Sequence, residues 1–177
     1  MLALAALVGA NGLQALDAMR RERAGREAAR GVASDLRALA QEARRLRRTV
    51  AVEFDLRTPG RWRVVDDGNG NGVTSVEIEA GVDRARPWRD VVREGHAVLD
   101  VPRDVPAADG EGVVRAGSAA VSLGAAPRLT FTPRGTASSA SIYLVGPSQA
   151  VYAVRVLGTT QRIRLTCLSD AGAWEAC

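Results

Sequence analysis

The residues best equipped for chemistry in this chain are few. They are one histidine (His96), two cysteines (Cys167 and Cys177), an Asp-Gly-Asn-Gly-Asn-Gly run at 67–72, and 24 basic residues that are all arginine. Two thiols with no histidine beside them cannot complete a structural zinc site. A disulfide closing their ten-residue separation would stabilise by about 3 kcal/mol on a chain-entropy basis and would require an oxidising compartment; the alternative is a free thiol pair in a reducing one. Asp67, Asn69, Asn71 and Gly72 match the opening of a calcium loop. The twelfth position, where a bidentate Glu belongs, is Ile78, with Glu77 and Glu79 on either side. Calcium needs six to eight oxygens, so a Gly/Asn connection between strands is the preferred reading. His96 has no motif around it and reads as structural. The chain contains no G-x-S-x-G, H-E-x-x-H, P-loop, C-x-x-C or Rossmann fingerprint. These absences argue against an enzyme, with no catalytic residue, no metal site and no cofactor to assign. The all-arginine choice fits a GC-rich codon bias, and the net charge of +4 permits an anionic partner without demanding one.

The elements that must carry these residues read as α+β: a long N-terminal helix packed on a C-terminal antiparallel β domain. Val32, Leu36, Leu39, Ala43, Leu46 and Val50 recur at a 4-3-4-3-4 spacing, one side of a helix. Arginines and Glu42 fill the other side. The division is residues 1–48 for the helix, with 1–16 as a truncated membrane segment, and 49–177 for the β domain. Met1–Ala10 is apolar but about half the ~20 residues a bilayer crossing needs, and it lacks a basic n-region and a cleavage site. Asn11-Gly12 is a poor helical pair and predicts a kink or local unwinding. Gly25 and Gly31 weaken the shaft. Arg20, Arg21, Arg23, Arg26 and Arg30 follow the apolar tip, as in a headgroup-facing zone or, equally, a solvated face with Glu22–Arg26 pairing.

Thr49–Leu56 alternates as a half-buried strand and, after the turn at Thr58-Pro59-Gly60, pairs with Arg61–Asp66 as a hairpin with Trp62 and Val64 inward. Val73–Glu79 reads as a third strand, Arg84–Gly95 as a loop or short helical turn, and His96–Val101 as a strand. Ala107–Gly117 reads as a loop, and Ala119–Leu123 and Arg128–Thr132 as strands. Ser141–Val145, Val151–Leu157 and Arg162–Thr166 describe an antiparallel meander, which would line up Arg155, Arg162 and Arg164 on one surface.

Three stretches, in this order, resemble the GspH/FimT-type minor pilins and pseudopilins. They are VASDLRALAQEARRLRRTVAVEFD (32–55), WRVVDDGNGNG (62–72), and LTFTPRGTASSASIYLV through YAVRVLGTTQRIRL (129–165). The resemblance implies a prepilin cleaved and N-methylated at a G-F-T-L-I-E-like start. The product would be held in the inner membrane with its β domain in the periplasm, then drawn into a type II secretion pseudopilus or type IV pilus, often near the tip. Partners would be other pilins or pseudopilins, met through the helix, and inner-membrane lipid. The processing motif is absent here, and Met1–Leu7 aligns with the middle of the family's membrane helix, which reads as a start codon placed too late in preference to a lost processing site. Some FimT-type members bind DNA through a C-terminal Gly-Arg-x-Arg. The matching stretch is Gln161-Arg162-Ile163-Arg164, with Gln for Gly, which makes Arg155, Arg162 and Arg164 the candidate DNA contacts in an alternative role in DNA uptake.

Overall fold

A computed structural model describes the backbone over residues 2–55, 57–58, 60–92, 96–124 and 127–177, with side chains from Gln14 onward. A single helix, α1 (Leu2–Leu46), leads into a β domain. The helix runs through residues 11 and 12 as regular α-helix, so the unwinding anticipated at Asn11-Gly12 does not occur in the backbone.

The first sheet is built on the hairpin of β1 (Val50–Phe54) and β2 (Arg61–Asp66), with Val52 opposite Val64 and Phe54 opposite Trp62. Val50, Val52, Trp62 and Val64 all enter the main core, as their alternation requires. Leu56 and Pro59, part of the expected strand end and turn, lie outside the described residues. Two short strands, β3 (Arg84–Ala85) and β4 (Arg89–Asp90), pair with β2 where a loop was expected. Residues 93–95 of that stretch are outside the described set.

Val73–Glu79 is not a strand. Residues 75–79 form a one-turn helix, α2 (Ser75–Glu79), because Thr74 caps it by accepting from the Glu77 N–H at 3.2 Å. The Glu77 carboxylate in turn accepts from the Thr74 hydroxyl, Asn69 and Asn71. The hydrogen bonds from Asn71 and Asn69 hold its pKa below the ordinary carboxylate range.

After β5 (Val105–Pro106) and β6 (Val113–Val114), a small pair whose second strand falls inside the stretch read as loop, comes β7 (Val121–Ser122), shorter than the expected Ala119–Leu123. His96–Val101 contributes only an isolated bridge between Val98 and Val145 rather than a strand. β8 (Leu129–Phe131) returns to β1 and completes the first sheet. The expected meander follows: β9 (Ala140–Val145), β10 (Val151–Leu157) and β11 (Arg162–Leu168), extended by β12 (Trp174–Ala176). The second sheet has the order β12-β11-β10-β9-β7.

The core lies where α1 meets both sheets. Ala29, Val32, Ala33, Leu36, Leu39, Ala40 and Ala43 are buried against Phe131, Ile142, Leu144, Tyr152, Val154 and Val156. Alternate residues of the second sheet point away from the helix. There Tyr143, Val151 and Ala153 form a smaller cluster under Val101 and Val105.

Candidate assembly surface

Only part of α1 is covered by its own domain. Residues 14–23 are exposed throughout, and from Gly25 down the helix is progressively buried. The boundary is a backbone contact. A Cβ on Gly25 would lie 2.8 Å from the Cα of Gly146, and one on Gly146 would lie 2.9 Å from the Cα of Gly25. Glycine at these two positions is what lets helix and sheet approach so closely. Just above, the Tyr152 hydroxyl donates to the Glu22 carbonyl at 3.3 Å, and burial pushes the pKa of that phenol up. Gly31, by contrast, faces open space.

Below the crossing, polar ties fix the shaft. Arg86 reaches Asp66 at 2.7 Å and Glu42 at 2.6 Å, joining helix to first sheet. Those hydrogen bonds, Asp66 first and then Glu42, raise its pKa further above the usual guanidinium range. Arg89 pairs with Asp35 at 3.2 Å. On the second sheet, Arg37 donates to the Ile163 carbonyl at 3.2 Å. Near the foot, Arg44 donates to Gln161 Oε1 at 3.0 Å, while Gln161 Nε2 donates to the carbonyls of Thr132 and Thr136, both at 2.8 Å. Gln161 has φ 52° and is 5% exposed. Left-handed backbone normally favours glycine, the residue the resembling motif carries there. Its three hydrogen bonds are what glutamine gains in exchange, a role that sequence reasoning missed.

Above the crossing, Leu16 and Met19 are 53% and 57% exposed, three residues apart on one helical face. Met19 borders a groove of about 740 Å³ between the helix (Ala15, Ala18, Met19) and the sheet (Ala150, Val151, Leu168). No helix among the described residues is long and apolar enough to cross a membrane.

The β10–β11 register places Arg155 opposite Arg164, and Arg162 falls on the same outer face. The three candidate DNA contacts therefore share one surface, but not one state. Arg162 and Arg164 are exposed, whereas Arg155 is half-buried and donates to the Ala108 carbonyl at 2.8 Å. Cys167 and Cys177 are joined by a disulfide that ties β12 to β11, with Cα atoms 5.3 Å apart. At residues 67–72 the buried Asp67 accepts from the N–H groups of Gly70 and Gly72, and Asp83 from those of Gly68 and Thr74. Those carboxylates serve backbone donors, and no group of three or more metal-ligating side chains gathers among the described residues. His96 is exposed, beside Glu27, Asp35 and Arg89 along the other flank of α1.

The family model for "Type II transport protein GspH" matches residues 28–161, about three-quarters of the sequence. The chain belongs to the GspH family. The resemblance read from its helix, its Trp-loop strand and its C-terminal hairpin is thereby borne out. Among solved structures, the minor pseudopilin EpsH from the Type 2 Secretion System of Vibrio cholerae is similar. It shares 15% identity at a TM-score of 0.49 and covers 82% of this chain and 96% of that one. None of the curated proteins matches significantly.

Proposed function

We propose that this GspH-family chain is a minor pseudopilin that assembles into a type II secretion pseudopilus or type IV pilus, near its tip, through the upper part of α1. The observation that carries this is the bare segment 14–23 with Leu16 and Met19 exposed, on a helix whose lower half is firmly held. Apolar side chains projecting from a packed scaffold mark a surface made for a partner. The role is structural, with no catalytic step. The Cys167–Cys177 bridge fits a β domain in the periplasm. Arg20, Arg21 and Arg23, exposed on α1, suit the headgroup level of the inner membrane. Processing and N-methylation at a leader upstream complete the reading.

A photo-crosslinking residue at Met19, in cells running the secretion system, tests it. Crosslinks to other pilin-like subunits are expected there and not from the same residue at Val76, an exposed position on α2. Equal labelling at both sites would sink the proposal.

DNA capture is the second reading, favoured by Arg162 and Arg164 standing exposed on one strand face, where they suit successive phosphates. The Arg162→Ala, Arg164→Ala double variant should lose most retention of duplex DNA. Retention unchanged ends that reading.

A further inference from the structure

The second sheet has two faces. α1 covers one, and the chain covers the other with a strap of its own. Residues 101–117 leave the sheet after the Val98–Val145 bridge and return to it just before Ala120, whose carbonyl accepts from the Tyr143 N–H at 2.8 Å. Between these ends the strap is tied mainly to itself. The Gly117 N–H donates to the Val101 carbonyl at 2.8 Å, β5 pairs with β6, and Arg115 reaches Asp104 at 2.6 Å. Those ties shape the strap without fastening it to the sheet.

What fastens it is a clamp of three side chains from three strands, all gripping the main chain at 106–108. The Tyr143 hydroxyl of β9 accepts from the Ala108 N–H at 2.9 Å. Arg155 of β10 donates to the Ala108 carbonyl at 2.8 Å, and the Trp174 indole of β12 donates to the Pro106 carbonyl at 2.8 Å. Beneath the clamp, Val101 and Val105 are buried with Tyr143, Val151 and Ala153, and Leu168 and Trp174 pack against the same cluster. The Tyr143 and Trp174 rings lie 6.1 Å apart.

The three jaws are not equally secure. β9 and β10 are flanked by strands on both sides, whereas β12 is an edge of three residues, with Glu175 and Ala176 exposed. Pairing over so short a length is marginal by itself. Two devices keep β12 on β11. One is its turn, where the Ser169 N–H donates to the Ala173 carbonyl at 2.9 Å. The other is the Cys167–Cys177 bridge. At a sequence separation of 10, a cross-link favours the closed loop over the open chain by about a hundredfold on a chain-entropy basis.

We infer that the Cys167–Cys177 bridge is the latch of this strap. Its formation docks Trp174, Trp174 secures residues 106–108, and the apolar outer face of the second sheet is held covered in the oxidised protein. Closing the latch needs a disulfide oxidant. One cysteine thiolate attacks the oxidant's disulfide and one of its sulfurs leaves as a thiolate; the second cysteine then displaces the other. Two electrons and two protons pass to the oxidant, which ends as a dithiol. The reduced chain keeps its core with α1, because Ile142, Leu144, Tyr152, Val154 and Val156 lie on the opposite face of the sheet. It presents Tyr143, Val151 and Ala153 to solvent instead. The latch concerns this chain alone and stands whether or not the filament role does.

Hydrogen exchange of the full chain in mild detergent, followed by mass spectrometry, tests it. In the Cys167→Ser, Cys177→Ser variant, amides of 105–117 and 174–176 should exchange about tenfold faster or more, as a locally opened unit. Those of β1, β2, β9 and β10 should keep their protection, which also shows that the variant is folded. Trp174→Ala, with the bridge intact, should free 105–117 in the same way, separating the latch from the cross-link. A strap that stays protected in either variant would overturn the inference, as would loosening of β12 alone. So would faster exchange spread evenly over both sheets, which would make the bridge a support of the whole domain.

Discussion

The two halves of α1 differ in what touches them more than in what they are made of. Below Gly25, Val32, Leu36, Leu39 and Ala43 sink into the junction of the two sheets, while charged residues between them reach out to Arg86, Gln161 and the Ile163 carbonyl through Glu42, Arg44 and Arg37. Above it, Leu16 and Met19 have the same helical spacing but stay exposed, with an open groove rather than packed side chains between Met19 and the sheet. Amphipathic periodicity therefore says that a helix face seeks cover. It does not say whether the cover comes from the same chain. What decides is where the second sheet ends, at Gly146, the point of closest approach to Gly25.

The contrast can be broken at both halves. Leu36 is fully buried, and Leu36→Ala should cost about 2–5 kcal/mol, seen as a lower midpoint in urea. Gly25→Val places carbon against backbone, not against a flexible side chain, and should cost about 1–3 kcal/mol by overpacking, with a lower Tm and the Tyr152–Glu22 hydrogen bond lost. Gly31→Ala, six residues on, should do the opposite. Nothing lies within 4 Å of the added methyl, so the gain in helix propensity is kept, about 0.5–1 kcal/mol of added stability in the same assay. Met19→Ala should move stability by less than about 0.5 kcal/mol while reducing incorporation into filaments. A large loss of stability from that change would mean that the upper half is held by its own domain after all.

Much of this was legible in the sequence. The 4-3 spacing of the shaft found the buried face of α1, and strict alternation found the β1–β2 hairpin with Trp62 and Val64 inward. Evenly spaced turns found the β9–β10–β11 meander. These succeed because the pattern and the burial share one period. The failures involve partners distant in sequence or a competing local signal. Val73–Glu79 alternates like a strand, but Thr74-Ser-Val-Glu77 also has the T-x-x-E spacing of a helix start, and the turn capped by Thr74 won. β3 and β4 have no strand pattern of their own and exist because β2 offers an edge to each. Gly25 looked like a weakness of the helix because its value lies in Gly146, 121 residues on. At the candidate site, the shared face of Arg155, Arg162 and Arg164 could be read from strand parity. The engagement of Arg155 with Ala108 could not, since it depends on how the segment around β5 folds over the sheet.

The crossing at Gly25 also makes α1 a lever with a fixed pivot. At 1.5 Å rise per residue, the helix extends about 35 Å from there to Leu2. A sideways push on the tip would act on the pivot with the full length of that arm, concentrated on one backbone contact and the Tyr152 hydroxyl. A pull along the axis is borne differently. It shears every buried position from Ala29 to Ala43 together, along with the ion pairs to Arg86 and Arg89. In the filament role proposed above, an axial load would meet the broadest set of contacts along α1 and a sideways one the narrowest.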